Sequence, residues 1–99
     1  MTASDDALLQ SRITIPEHVV IRRFAEESIA LNLTSGDYHG LNATAATMLE
    51  ELDGGDTPAA VARSISERAG VPLETVTADL LELLRELSGR ELVKVDGAG

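Results

Sequence analysis

An α+β fold, a three-stranded antiparallel sheet followed by three α-helices, is predicted by a change of rhythm along the chain. Up to Leu41 apolar residues recur with period 2, and from Asn42 onward they recur with period 3.6. Punctuation agrees with this division. Gly36, Gly54-Gly55 and Gly70, with Pro58 and Pro72, fall between the periodic runs and not inside them. The connector Ala69-Gly70-Val71-Pro72 between the last two helical patterns is of the helix-turn-helix kind, so the order reads as winged helix-turn-helix-like.

Met1 to Ser11 shows no sustained periodicity, so residues 1–11 are expected to form a flexible tail. The folded domain is expected over residues 12–95, with residues 96–99 as a second flexible tail. Arg12 to Pro16 is a short extended piece, because Ile13 and Ile15 alternate and Pro16 sets the chain direction. Val19 to Phe24 is a β-branched run suited to a strand, and Ala25-Glu26-Glu27 turns it into Ser28–Leu33. There Ile29, Leu31 and Leu33 alternate with Ala30 and Asn32, which predicts one buried face carried by the larger residues. Thr34-Ser35-Gly36-Asp37 is a turn, with Gly36 free to adopt positive φ, and Tyr38 to Leu41 is the return strand.

Asn42 is a candidate N-cap for a helix over Ala43 to Leu52, stopped by Asp53-Gly54-Gly55-Asp56. Thr57 as N-cap and Pro58 at the first helical position open a second helix, whose face is Val61, Ala62, Ile65 and Ala69. The third helix runs from about Leu73 to Ser88. Val76, Leu80, Leu83, Leu84 and Leu87 form its stripe, and Leu81 widens the apolar arc. Leu92 to Val95 is a possible closing strand.

The 99 residues carry 17 acidic and 8 basic side chains, a formal charge of −9. That balance repels phosphate backbones and anionic membranes, so neither nucleic acid nor membrane is an expected partner. The charge serves solubility or points to a basic partner. Phe24 and Tyr38 are the only aromatics, so the core must come from Leu, Val, Ile and Ala. With no cysteine there is neither a disulfide framework nor a thiolate metal site, which fits a cytoplasmic protein. There is no transmembrane run, and Met1 to Gln10 is acidic and polar, unlike a signal peptide.

Catalytic constellations are missing from the sequence. His18 and His39 lie at no ligand spacing from each other or from a helical carboxylate pair. Glu50-Glu51 and Glu82/Glu86 belong to solvated helix faces, no serine sits in a nucleophile elbow, and no phosphate-binding glycine loop occurs. A non-enzyme with no cofactor and no metal is expected. What remains is binding: the free edge of Tyr38–Leu41 can accept an extended peptide as an added strand, with the third helix as a wall. On spacing alone a plainer reading competes, in which that helix's arc faces only other helices and Tyr38 is a core aromatic.

The stretch LNLTSGDYHGLNATAATMLEELDGGDTPAAVARSISERAGVPLETVTADLLELLREL resembles the PqqD family, the peptide-recognition elements of ribosomally synthesised, modified peptides. The resemblance rests on Thr34-Ser35-Gly36, Tyr38, Leu41-Asn42, Leu52-Asp53-Gly54, Thr57-Pro58, Val71, Asp79-Leu80, Leu83-Leu84-Leu87 and Glu91-Leu92-Val93, in that order, within roughly Ile15 to Val95. It implies a non-catalytic recognition element that binds the leader segment of a precursor peptide and presents it to a leader peptidase or other modifying enzyme. Carried over by position, the edge is Asp37, Tyr38, His39, Gly40 and Leu41, and the wall is Val76, Asp79, Leu80 and Leu83, with Asp79 either a contact or a structural anchor. His39 and Gly40 replace an aromatic and a polar residue frequent in relatives, and Glu91 stands where the family has glycine. A free-standing acidic chain of this kind is most similar to the recognition proteins of lasso-peptide biosynthesis. The pyrroloquinoline-quinone type, a peptide chaperone for a radical SAM enzyme, comes second.

Three rivals remain. A winged-helix DNA-binding protein needs a basic recognition helix, whereas the third helix carries Glu74, Asp79, Glu82 and Glu86 against Arg85 and Arg90. An acidic carrier protein needs an Asp-Ser pair, which the chain lacks. A general protein–protein adaptor differs only in its partner. Edge-strand binding further predicts that His39→Pro blocks the peptide while sparing helix content, provided that the His39 N–H points outward.

Overall fold

A buried leucine stripe on the C-terminal helix organises the packing. In the computed structural model, which describes residues 3–25 and 27–96, the elements run α1 (Ala3–Leu9), β1 (Arg12–Thr14), β2 (Val19–Phe24), β3 (Glu27–Asn32), β4 (Tyr38–Leu41), α2 (Ala43–Asp53), α3 (Pro58–Ala69), α4 (Leu73–Gly89) and β5 (Lys94–Asp96). Val76, Leu80, Leu84 and Leu87 of α4 join Leu49 and Leu52 of α2 and Val61 and Ile65 of α3 in one core. β2, β3 and β4 form an antiparallel meander, and β1 pairs with β5 in a separate two-stranded ribbon. The expected three-stranded sheet and three following helices are therefore present, with two additions.

The first addition corrects the N-terminal expectation. Ala3–Leu9 is helical and packs against α3 and α4, with Leu9 buried, Asp5 ion-paired to Arg85, and the Ser11 hydroxyl donating to Ala7 O at 2.7 Å. Leu81, which widens the α4 arc, is buried and shares a shallow depression with Asp5 and Arg85 on the α1 side. Seven residues are too few for a periodicity to be legible, and the helix depends on that docking. The second addition is the ribbon. The closing strand begins at Lys94, later than expected, while Leu92 and Val93 turn into the core. Met1, Thr2, Glu26 and residues 97–99, parts of the expected tails and of the β2–β3 turn, lie outside the described residues.

Helix boundaries follow their caps. The Asn42 side chain accepts from Ala45 N at 2.8 Å and that of Thr57 from Ala60 N at 3.2 Å, each satisfying a free N–H of a first turn. Gly70 ends α3 at φ 68°. α4 ends in a Schellman motif: Glu91 N–H donates to Ser88 O, Leu92 N–H donates to Leu87 O at 2.8 Å, and Leu92 is buried. The family's glycine is replaced here by Glu91, yet Glu91 holds the left-handed conformation the motif requires, at φ 57°.

The sheet inverts the expected phase of β3. Ser28, Ala30 and Asn32 are buried, Ile29 and Leu31 are half-buried on the opposite face, and Leu33 is 60% exposed in the turn. Ser28 and Ala46 line adjoining depressions where α2 crosses the sheet, so small residues face that helix. Asn32 is buried because it organises the turn, its Oδ1 accepting from Thr34 N at 2.9 Å and Ser35 N at 3.1 Å. Gly36 takes the expected positive φ, 79°.

A candidate peptide-binding groove

Register decides what β4 offers to a partner. Ser28 pairs with Leu41, Ile29 with Gly40, Ala30 with His39 and Leu31 with Tyr38. The next pair, Asn32 and Asp37, is joined by Asn32 N–H donating to Asp37 O at 2.8 Å. Bonded and non-bonded pairs alternate along an antiparallel ladder, so His39 and Leu41 direct their backbone groups toward β3. Tyr38 and Gly40 direct theirs away from the sheet. Consistently, Tyr38 O accepts from Arg90 Nη1, 3.2 Å away, on the side opposite β3. The open edge is thus Tyr38 and Gly40, and the condition attached to His39→Pro is not met: its N–H belongs to the ladder.

Beside this edge lies a groove of about 580 Å³. One lip is His39 and Gly40, the floor includes Ala45 and Met48 of α2 and Ile65 of α3, and the wall is Val76, Asp79 and Leu83 of α4 with Glu82 and Glu86. Five of the expected site residues, His39, Gly40, Val76, Asp79 and Leu83, therefore line one depression. Leu80 and Leu41 do not: at 0% and 2% exposure their side chains belong to the core. Tyr38 is 60% exposed, on the sheet face away from the helices, and is not a core aromatic. Asp37 stands at the turn, ion-paired with Arg90 at 3.4 Å.

Sequence reasoning overlooked the floor and one end of the groove. Ala45, Met48 and Ile65 read as helix core, and Met48 and Ile65 are indeed buried, yet with half-buried Ala45 they form the bottom of the depression between β4 and α4. Glu82 and Glu86 read as a solvated pair, and their i,i+4 spacing did put them on one face. Arg90 caps that end, donating from Nε to Glu86 at 2.9 Å while Nη1 reaches Asp37 and Tyr38 O. Among the described residues no helix is long and apolar enough to cross a membrane, and no group of three or more His, Cys, Asp or Glu is placed to hold a metal ion.

Residues 27–93 match the family model for coenzyme PQQ synthesis protein D (PqqD). The chain belongs to the PqqD family. Among solved structures, one of TbiB1 in complex with the TbiA(beta) leader peptide is similar, with 31% identity and a TM-score of 0.73 over 82% of this chain and 94% of that one. A lasso peptide synthetase B1 complexed with the leader peptide superposes with a TM-score of 0.76 at 23% identity, over 84% of this chain and 98% of that one, a likeness of fold. No curated protein sequence matches.

Proposed function

We propose that this protein binds the leader segment of a ribosomally synthesised precursor peptide, of the lasso-peptide type, and presents it to a leader peptidase or other modifying enzyme without catalysing a reaction itself. The observation that carries the reading is the open Tyr38–Gly40 edge beside the α4 groove, in a chain 31% identical to a structure solved with a leader peptide. The leader joins β4 as a further antiparallel strand, its backbone bonded to Tyr38 and Gly40. Side chains opposite His39 enter the groove toward Val76, Asp79 and Leu83, where apolar Met48 and Ile65 select for shape. Asp37 and Arg90 mark the end of the paired segment. The work takes place in the cytoplasm and needs no cofactor.

DNA binding fits poorly. Arg85 of α4 pairs with Asp5 and Arg90, at its C-cap, with Glu86 and Asp37, which leaves Glu74, Asp79 and Glu82 exposed on the helix that would enter a groove. Fluorescence polarisation tests the reading. The probes are the TbiA(beta) leader peptide and leader segments of precursor peptides encoded beside this chain, with duplex DNA as control. Leader-specific binding is expected, lost in Gly40→Pro while circular dichroism keeps its helical signal, because an outward N–H on an edge strand is dispensable to the fold. Binding to DNA alone overturns the reading.

A further inference from the structure

Leu81 plays no part in the peptide groove, although it widens the apolar arc of α4. At about 100° per residue, Val76, Asp79 and Leu83 lie on one flank of the buried stripe and Leu73, Thr77 and Leu81 on the other. α1 packs along this second flank without closing it. What stays open is a depression of about 420 Å³, floored by buried Leu81 and half-buried Thr77. Leu73, 46% exposed, and exposed Ala78 continue its apolar surface toward solvent. The family match begins at residue 27, so the α1 wall lies outside the matched stretch.

The rim of this depression is acidic. Glu74 and Glu82, both exposed, stand one turn before and one turn after Ala78 on a single ridge of α4. Among the described residues that line the depression, Arg85 is the one cation, and it is ion-paired with Asp5. Exposed Asp6 follows Asp5 along α1.

We infer that this depression docks a basic amphipathic helix of a partner protein. Two helices offer a third one a groove between their side-chain ridges. Their backbone groups are bonded internally and give an incoming strand nothing to pair with. From Leu73 to Arg85, α4 rises about 18 Å, which about three turns of the incoming helix match. Its apolar face packs on Leu73, Ala78 and Leu81, and Lys or Arg at its margins meet Glu74 and Glu82. A second copy of this chain is the wrong occupant, because it brings a further formal charge of −9. The inference stands apart from the leader-binding reading. The two sites occupy opposite flanks of α4, so both can be filled at once.

The probe is a designed amphipathic helix of leucine and lysine, with a leucine–glutamate counterpart of the same pattern. Each is titrated into the isotope-labelled chain at about 150 mM salt, where long-range attraction is screened. Amide chemical shifts are expected to move at Leu73, Thr77, Ala78, Leu81 and Arg85, with the lysine probe only. Leu73→Glu separates docking from plain charge attraction. It puts a carboxylate in the first turn of α4, where the helix dipole favours it, so the fold is kept. Binding should nevertheless weaken about fivefold or more, because an apolar anchor is lost. Glu74→Gln should weaken it about twofold to threefold, and Glu67→Gln, the same charge change on the exposed side of α3, by less. Shifts centred on Asp79 and Leu83 or spread over the acidic surface overturn the docking site. So do equal binding of both probes, unweakened binding by Leu73→Glu, or no shifts at about 1 mM probe.

Discussion

The two faces of the β2-β3-β4 sheet are built from opposite logic. The inner face is buried yet presents Ser28, Ala30 and Asn32 from its central strand, with Val19, Ile21 and Leu41 as its larger apolar residues. The outer face is open yet carries Val20, Ile29, Leu31 and Tyr38, with Phe24 at its end. Burial therefore follows what packs against a face and not the hydrophobicity of one strand. Small residues admit α2 closely, and the helices supply the apolar volume. The outer face keeps apolar surface in reserve beside the edge proposed to take a peptide, and exposed apolar patches of that kind mark interaction sites.

The sharpest way to break this comparison is a pair of prolines on adjacent residues of β4. His39→Pro removes a ladder N–H directed at β3 and should abolish the cooperative thermal transition, whereas Gly40→Pro should retain it. Equal behaviour in differential scanning calorimetry would refute the register assignment. Next comes volume. Ala30→Leu overpacks the α2-facing side and should destabilise by about 1–3 kcal/mol in urea unfolding. Leu31→Ser, one residue along on the outer face, should cost under about 1 kcal/mol. If Leu31→Ser proves the more damaging, the outer face is covered in solution.

Asn32→Ala leaves the Thr34 and Ser35 N–H groups without their acceptor, so a loss of about 1–3 kcal/mol is expected by the same measurement. The smallest effect is a gain. Glu91→Gly relieves left-handed backbone at the end of α4, away from both faces, and should stabilise by roughly 1 kcal/mol with leader affinity unchanged.

Much of the fold was legible because its signals are local. Asn42 and Thr57 place helix starts through their own side-chain oxygens, Gly36 and Gly70 adopt the positive φ expected of turn and stop, and the α4 stripe is apparent from spacing alone. The candidate site was legible by halves. The resemblance pointed to His39, Gly40, Val76, Asp79 and Leu83, which do line one groove, but also to Leu41 and Leu80, whose side chains are core. Spacing along α4 could not separate Leu80 from Leu83, because both lie within one apolar arc and only the neighbouring helices decide which is covered.

By itself, then, the sequence determined element types, their order and most of their ends, since caps, turns and periodicity act over a few residues. Tertiary structure alone decided which face of β3 turns inward, that Ala3–Leu9 is a helix on α4, that β5 finds β1, and that Tyr38 and Gly40 own the open edge. The physical reason is shared by all four. Alternation defines two faces and a strand defines two edges, but burial and pairing are settled by partners distant in the chain.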